Sequence, residues 1–346
     1  MNFIVIGAGA IGVYIGGSLM AAGNQVTFID REEHIPLLKK NGITLDLKTR
    51  VETLLDVSVL PDLEKALAEH TYDAMLLAVK AFDTQGFADK LRSLSSHLNL
   101  PPLVCLQNGV ENEDLLAGVL GAERVVAASV TSAIGRRGVG EVSLERLRGI
   151  GLAGTGSLVE SLVRVFSEAG LRAVRYPDAR AMKWSKMLTN LPANAMSAIT
   201  GMKPVEIFTH PGLYRLETTQ IHEATAVMEA LGLETTDLPG TPVRAMAWCM
   251  NRLPTVISRP LIARTLGKGR GEKMPSFFID YVSGRGKSEV DYLNGAVVRA
   301  GEKAGVPTPV NRFLTGTLLG MVEGRIPAGR YDHQPERLLE DYFAGK

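Results

Sequence analysis

Residue types that mark particular protein classes are scarce in this chain. Cys105 and Cys249 are its only cysteines, too few for a disulfide framework or a cysteine-rich zinc site. The six histidines do not pair at metal-ligand spacings, and no set of serine, histidine and acid suggests hydrolysis. We therefore expect neither a metal site nor a hydrolase, and the low cysteine content suits a cytoplasmic protein.

The chain also lacks an excess of charge of either sign. Its 38 lysine and arginine residues stand against 37 aspartate and glutamate residues, which gives a net charge of +1. A near-neutral chain offers no electrostatic argument for binding nucleic acid or an anionic membrane. With 45% hydrophobic and 22% charged residues, the chain can bury a core, and global disorder is excluded. Its 346 residues are enough for two ordinary domains.

Charged residues are absent from the first 28 positions, which are largely apolar. Such a run could belong to a membrane span or a signal peptide. Six glycines interrupt this one, and no lysine or arginine precedes it. We therefore predict a buried strand followed by a buried helix, with no membrane partner.

A glycine motif follows the first predicted strand, Phe3–Ile6. A helical stretch to about Ala22 and a second strand, Gln25–Ile29, come next. This is the strand–GxGxxG–helix–strand order of a dinucleotide-binding unit, with a glycine-rich packing turn as the alternative. In that unit the glycines make the turn, admit the pyrophosphate and bring the helix onto the sheet. The predicted cofactor-binding residues of the motif are Gly7, Ala8, Gly9, Ala10, Ile11 and Gly12.

Two residues at the end of the second predicted strand give opposite indications about the cofactor. Asp30 would accept hydrogen bonds from the ribose hydroxyls of NAD, whereas Arg31 would attract the 2′-phosphate of NADP. Either charge could instead be solvated at a strand end. The residues alone therefore leave the choice between NADP and NAD open.

Polar residues also stand at the ends of two further predicted strands. Lys80 ends the apolar run Ala74–Val79, and Asn108 follows Leu103–Gln107. Ligands of open α/β sheets bind at the carboxyl ends of the strands, so both residues are candidates for contact with a nicotinamide and a substrate. The alternatives are a surface lysine and an ordinary turn.

Beyond Pro177 the pattern changes from strands to long helices. We therefore predict two domains, 1–177 and 178–346, of which the first is a dinucleotide-binding α/β domain and the second is helical.

The first long helix of the second half is predicted over Ala179–Ser197. It would carry Lys186, Asn190 and Asn194 at intervals of four, which places them on one face. One cation and two amides on a shared face are unusual for a core helix, because buried polar groups need partners. Pro192 should kink this helix or end it early.

Three further features occur nearer the carboxyl terminus. Ser276 is a candidate N-cap of one helix, and Ser288 is a candidate cap that would place Glu289 in the first turn of the next. The basic, glycine-rich stretch Gly267–Lys273 could contact a phosphate or a carboxylate, although a surface loop is the favoured alternative.

As a set, these motifs resemble the ketopantoate reductase (2-dehydropantoate 2-reductase) family over nearly the whole chain. The resemblance implies a Rossmann-type α/β N-terminal domain and an all-α C-terminal domain like that of 6-phosphogluconate dehydrogenase. It also implies hydride transfer from NADPH to the ketone of ketopantoate, in pantothenate synthesis. The matching pieces are Phe3–Gly12, Val79-Lys80, Gln107–Gly109, Lys186 with Asn190 and Asn194, Ser276 with Asp280, Gly284-Arg285, Glu289–Asp291 and Asn294-Gly295.

The same resemblance implies roles for individual residues. Lys186 is the catalytic lysine that donates a proton to the carbonyl oxygen, and Glu289 orients it and holds a substrate hydroxyl or the ribose. The implied substrate-binding residues are Asn108, Asn190, Asn194 and Ser276. The implied cofactor contacts outside the glycine motif are Asp30, Arg31, Lys80, Asn108 and Glu289.

The chain departs from the family pattern at places that bear on substrate and cofactor. Asp30 precedes Arg31, and Gly240–Lys273 is longer and more basic than the usual connection. A related reductase for another 2-oxo acid or an opine-type substrate therefore stays open, as does the use of NAD. The alternative from another class is an NAD(P)-binding sensor, which would need no proton donor such as Lys186. We expect a small-molecule 2-oxo acid as partner and a homodimer formed through apolar helices.

Overall fold

A computed structural model describes residues 1–267, 273–284 and 286–345 of the chain. These residues form two compact units. The first contains Met1–Lys183 and the short segment Leu238–Thr241, and the second contains Trp184–Asp237 and the described part of Pro242–Lys346. The division falls about one turn inside a helix, whereas the sequence pattern predicts a boundary after Pro177.

The first unit is an α/β structure. Its helices are α1 Ala10–Ala21, α2 Ile35–Asn41, α3 Leu63–Glu69, α4 Thr84–Leu94, α5 Asn112–Leu120 and α6 Gly156–Glu168. Its strands are β1 Asn2–Ile6, β2 Gln25–Ile29, β3 Ile43–Asp46, β4 Val51–Leu54, β5 Ser58–Leu60, β6 Ala74–Leu77, β7 Leu103–Cys105, β8 Val125–Val130, β9 Ala133–Gly138, β10 Glu141–Arg146, β11 Ile150–Ala153 and β12 Ala173–Tyr176.

Eight of these strands form the main sheet, in the order β12-β11-β8-β7-β6-β1-β2-β5. Each neighbouring pair is parallel except β8 and β11. The six strands from β8 to β5 in this order run in one direction and bring their carboxyl ends to one edge, where ligands of such sheets bind. This architecture confirms the Rossmann-type prediction.

Strand β1 shows why this region of the sequence is uniformly apolar. Phe3 and Val5 pack into one hydrophobic core, and Ile4 and Ile6 pack into another on the opposite face of the sheet. Successive side chains of a strand point to opposite faces, so a strand covered on both sides needs an apolar residue at every position.

A second, four-stranded sheet, in the order β4-β3-β10-β9, also belongs to the first unit. Strands β3 and β4 have four residues each, too few to show a clear periodicity. Gly17 of α1 lies against this sheet, where an added Cβ would be 3.0 Å from a methyl group of Leu45.

The second unit is helical, as predicted. Helix α7 crosses the division, with its first residues in the first unit and the remainder in the second. The helices are α7 Ala179–Asn190, α8 Asn194–Thr200, α9 Pro204–Thr209, α10 Pro211–Ala230, α11 Val243–Arg252, α12 Thr255–Ile262, α13 Ser276–Val282, α14 Asn294–Ala304, α15 Pro309–Val322 and α16 Pro335–Ala344.

The prediction of one helix over Ala179–Ser197 is wrong, because the segment is divided into α7 and α8. Pro192 has no N–H to donate to the preceding turn, and Ala193 adopts a left-handed conformation with φ +59°. The chain therefore changes direction between Asn190 and Asn194, so these two residues do not share one helix face.

Two of the predicted features fall partly outside the described residues. Residues 268–272 of the basic stretch and Arg285 of the Gly284-Arg285 motif lie outside the described residues. Within the described ranges, no helix has the combined length and apolar character required to cross a membrane.

Candidate active site

The glycine motif forms a tight turn between β1 and α1. Gly7 has φ +97°, a conformation that residues with a Cβ rarely adopt. Its N–H donates to the carbonyl oxygen of Ile29 in β2 over 2.8 Å. Helix α1 then begins, with the N–H of Val13 donating to Gly9 as its first helical hydrogen bond. The amides of the first turn have no acceptor inside the helix, so the motif presents donors at the positive end of the helix dipole.

Two glycines of this turn differ in the space around them. An added Cβ on Gly12 would collide with the carbonyl oxygen of Gly7 and approach Ala78 to 3.2 Å. An added Cβ on Gly9 would meet no atom within 4 Å. Packing within the protein thus explains why position 12 needs a glycine, but it gives no such reason for the glycine at position 9. The open space beside Gly9 fits the approach of a pyrophosphate to the backbone.

Asp30 and Arg31 lie in different environments at the end of β2. The Asp30 side chain is only 10% exposed, and it accepts from the Arg31 backbone N–H and from His34 Nδ1 at 2.8 and 3.0 Å. The Arg31 side chain is 64% exposed, where it pairs with the equally exposed Glu33 and donates to His34 Nε2. The aspartate is therefore engaged by its own turn, while the guanidinium stays accessible to a ligand anion.

Lys80 and Asn108 stand just beyond the carboxyl ends of β6 and β7, in half-buried positions. The side chain of Gln107 donates to the carbonyl oxygens of Val79 and Lys80, both at 3.1 Å. The side chain of Asn112 donates to the carbonyl oxygen of Asn108 at 2.7 Å. Buried amide side chains thus fix the backbone at both positions.

The two lysines of helix α7 differ in environment. Lys186 is half-buried, and its carbonyl oxygen accepts from the Thr189 hydroxyl. Lys183 is 4% exposed; its ammonium donates to the carbonyl oxygen of Gln107 and pairs with Glu113. Lys183 is therefore fixed within the first unit, whereas the side chain of Lys186 is only half-buried.

The turn between Asn190 and Asn194 has a buried partner that the sequence analysis misses. Glu217 of α10 is fully buried and accepts from the backbone N–H of Ala193 at 2.9 Å. It also accepts from the Gln220 side chain at 2.6 Å. A carboxylate that holds a left-handed residue in place is invisible in the sequence, because 24 positions separate the partners.

The structure brings together two of the predicted substrate-binding residues, Asn194 and Ser276. The Asn194 side chain is 5% exposed; its Nδ2 lies 3.4 Å from Ser276 Oγ, and its Oδ1 accepts from the N–H of Phe277. The prediction that Ser276 caps its own helix is wrong, because Pro275 holds the N-cap position. Asn194 satisfies a first-turn amide of α13 from a distant position in the chain.

Replacement of Asn194 by leucine should lower stability by about 1–2 kcal/mol, since it leaves a buried helix N–H without its acceptor. The loss is measured as the free energy of unfolding in urea. Replacement of the exposed Thr209 by valine gives a control, and we expect it to change that free energy by less than about 0.5 kcal/mol. Equal stability of the Asn194 variant and the parent would contradict the assigned contact.

Glu289 is 2% exposed and begins a 3₁₀ turn, Glu289–Tyr292, directly before α14. The side chain of Ser288 accepts from the N–H of Val290, so the predicted Ser288 cap is present. A carboxylate at this depth needs partners of opposite charge or hydrogen-bond donors.

Among the described residues, neither the cysteines nor the side chains that commonly bind metals form a further reactive site. Burial, together with the neighbouring Glu113 carboxylate, raises the pKa of Cys105, and burial raises that of Cys249. Raised pKa values make thiols poor nucleophiles. No group of three or more histidine, cysteine, aspartate and glutamate side chains among the described residues could hold a metal ion.

Comparison with known families gives two matches that together span most of the chain. The profile described as ketopantoate reductase PanE/ApbA matches residues 3–155, and its C-terminal counterpart matches residues 178–322. The 2-dehydropantoate 2-reductase of Archaeoglobus fulgidus is 28% identical, over 92% of this chain and 97% of its own length. That of Halobacterium salinarum is 26% identical, over 91% of this chain and 96% of its own length.

Solved structures show the same fold. A PanE/ApbA family ketopantoate reductase from Ralstonia eutropha superposes with a TM-score of 0.78 at 29% identity, covering 94% of this chain and 99% of its own. A 2-dehydropantoate 2-reductase from Geobacter metallireducens has a TM-score of 0.76 at 25% identity, with 93% and 99% covered. A D-mandelate dehydrogenase shares the fold, with a TM-score of 0.75 at 23% identity and 94% and 99% covered.

Proposed function

Because the chain belongs to the ketopantoate reductase PanE/ApbA family, we propose that it reduces 2-dehydropantoate to pantoate with NADPH. One observation carries this proposal: the two matched regions contain the glycine turn and the Lys186, Asn190 and Asn194 set. The first of these suits a dinucleotide, and the second suits a small polar substrate whose carbonyl oxygen must be protonated.

The first unit supplies the cofactor-binding residues. The turn Gly7–Gly12 would hold the pyrophosphate, while Arg31, Lys80 and Asn108 would contact the rest of the dinucleotide. When bound, NADPH supplies the hydride that reduces the ketone carbon. The described geometry supports this assignment through the open space beside Gly9 and the exposed guanidinium of Arg31.

Lys186 would donate the proton that the reduction requires. As the ketone carbon gains a hydride, its oxygen gains negative charge, and the Lys186 ammonium stabilises this charge and transfers a proton to the oxygen. The lysine then recovers a proton from solvent, so the reaction consumes one hydride and one proton per alcohol formed.

Four side chains of the second unit would position the substrate. Asn190 and Asn194 supply amide donors and acceptors, Ser276 supplies a hydroxyl beside Asn194, and Glu289 supplies a carboxylate acceptor. Such groups can fix the face of a ketone that bears a hydroxyl and a carboxylate.

We propose NADPH in preference to NADH from the contrast between Asp30 and Arg31. Arg31→Ala should lower kcat/KM for NADPH by about 10- to 100-fold, since a hydrogen bond to a charged group contributes about 1.5–3 kcal/mol. The same variant should change kcat/KM for NADH by less than about twofold, measured from initial rates with each cofactor.

Asp30→Asn is the matched variant for this test. We expect it to change kcat/KM for either cofactor by less than about threefold, because the Asp30 carboxylate is engaged by Arg31 N–H and His34. A large loss with NADH in Asp30→Asn, together with no loss with NADPH in Arg31→Ala, would instead identify an NADH enzyme.

Initial rates with a panel of 2-oxo acids test the proposed substrate. We expect 2-dehydropantoate to give the highest kcat/KM, and 2-oxo acids without its hydroxymethyl group to fall well below it. A higher kcat/KM with another 2-oxo acid or an imine substrate would support the related-reductase alternative and direct attention to Gly240–Lys273. We also propose that the protein is cytoplasmic and forms a homodimer. Native mass spectrometry would measure the number of subunits.

A further inference from the structure

We propose that Lys183 is a positioning residue: paired with Glu113, it holds the backbone that carries Asn108 beyond the end of β7. This inference rests on the proposed function, because it concerns the placement of a residue assigned to the cofactor and substrate. Neither Lys183 nor Glu113 belongs to the set of site residues that the sequence analysis or the family resemblance identifies.

Lys183 binds the sheet where the pairing of β7 with β8 ends. The paired residues of β7 and β8 extend as far as Cys105 and Ala127. Just beyond them, the Lys183 ammonium donates to the carbonyl oxygens of Gln107, at 2.5 Å, and Ala128, at 3.3 Å. The side chain therefore joins the two strands just beyond the point where their own pairing ends.

The side chain of Gln107 does the same between β6 and β7. The pairing of these strands extends as far as Leu77 and Cys105. Beyond it, Gln107 Nε2 donates to the carbonyl oxygens of Val79 and Lys80. Because Lys183 fixes the backbone of Gln107, and Gln107 fixes the backbone of Lys80, a single buried network determines the course of both strand ends.

The network continues on the other side of Asn108. Asn112 Nδ2 donates to the Asn108 carbonyl oxygen, and the hydroxyl of Thr84 lies 3.1 Å from both Asn112 Oδ1 and Gln107 Oε1. Asn108 is thus held by its own carbonyl through Asn112 and by the preceding carbonyl through Lys183. Its side chain stands on a backbone that cannot shift without breaking charge-assisted or buried hydrogen bonds.

The energetic balance also favours a role beyond packing. A buried ion pair contributes little net stability compared with apolar residues of similar size, because both charges must be desolvated. The Lys183 ammonium lies 2.8 Å from the Glu113 carboxylate, and both side chains are largely buried. Burial lowers the pKa of Lys183, but the interactions with Glu113 and Cys105 together outweigh burial and raise the pKa, so the ammonium stays charged. Its charge is then available to orient backbone carbonyls.

The test neutralises the pair without leaving one charge buried alone. The variant Lys183→Met with Glu113→Gln should fold, because apolar and neutral polar side chains can replace a buried ion pair without leaving a charge unpaired. Its kcat with NADPH and 2-dehydropantoate should fall by roughly 10- to 100-fold, since a displacement of about 1 Å at a reacting centre costs up to a hundredfold. Arg175→Met with Glu160→Gln neutralises an exposed pair of the same unit and should leave kcat unchanged.

A double-mutant cycle with Asn108→Ala separates positioning from a general structural effect. If Lys183 acts through Asn108, neutralising the pair in the Asn108→Ala background should lower kcat by less than about threefold further. A loss as large as in the parent background would overturn the proposal, because the two effects would then be independent.

Hydrogen exchange gives a readout that does not depend on turnover. In the neutralised variant, backbone amides of 106–112 should exchange faster, while those of α6 should keep their protection. Unchanged exchange over 106–112 would overturn the positioning role. A parent protein that fails to reduce 2-dehydropantoate would count against the proposed function alone, and exchange would then decide the role of Lys183.

Discussion

Lys186→Ala should lower kcat for the reduction by about 10²- to 10⁴-fold, the range expected when a general acid is removed. The variant loses both the proton donor and the positive charge that stabilises the oxygen as hydride arrives. Its Kd for NADPH should stay within about threefold of the parent value, because the predicted dinucleotide contacts outside Glu289 lie in the first unit. Steady-state rates and NADPH fluorescence titration measure the two quantities.

Lys303→Ala is the matched control, since Lys303 is an exposed lysine of α14 in the same unit. We expect it to change neither kcat nor Kd. If Lys186→Ala kept more than about a tenth of the parent kcat, another group would have to supply the proton, and the role assigned to Lys186 would be wrong.

Gly12→Ala should destabilise the protein by about 3 kcal/mol, near the upper end of the usual range for overpacking a core. The new methyl group would collide with the carbonyl oxygen of Gly7, a backbone atom that cannot turn away as a flexible side chain could. Relief of this collision requires α1 to move from the sheet, which also disrupts the glycine turn. The loss is measured as the free energy of unfolding in urea, and NADPH binding should be lost with it.

Gly9→Ala separates binding from folding. Its methyl group meets no protein atom within 4 Å, and the backbone of Gly9 is extended, with φ −78°. Stability should therefore change by less than about 0.5 kcal/mol, while NADPH affinity falls by about tenfold or more, equivalent to ~1.4 kcal/mol. Unchanged NADPH affinity in Gly9→Ala would show that no phosphate approaches this turn.

The parts of the fold that the sequence predicts are those governed by local rules. Strand β1 is apolar on both faces, and Gly7 turns the chain directly after it. An apolar strand followed by this glycine motif is enough to predict the turn into α1. The buried strands β6 and β7 are likewise continuous apolar runs. Polar residues that follow such strands stand at the ligand-binding edge, which placed Lys80 and Asn108 among the candidates.

The parts that sequence reasoning misses depend on contacts between distant residues. Lys183 occupies an ordinary helical position in the sequence, but its partner Glu113 lies 70 positions earlier, and only the folded chain pairs them. Glu217 accepts from the N–H of Ala193 although 24 positions separate them, and only Pro192 indicates in the sequence that the helix does not continue. The sequence therefore indicates that the helix ends near Pro192, but it does not indicate which side chain holds the turn that follows.

The alternative to a reductase is a sensor that binds the cofactor without turnover. The half-buried Lys186 and the Asn194–Ser276 contact favour the enzyme, because recognition of a dinucleotide requires neither of them. The sensor and the enzyme both predict NADPH binding, so a binding measurement does not distinguish them, and a chemical product does.

The most direct test is transfer of the hydride itself. Protein is incubated with 2-dehydropantoate and NADPH that carries deuterium at the transferred position, and the product is analysed by mass spectrometry. We expect pantoate with one deuterium at the former ketone carbon, formed in equal amount to the NADP produced, and no such product with Lys186→Ala. NADPH that binds but is not oxidised, with 2-dehydropantoate recovered unchanged, would contradict the proposed function.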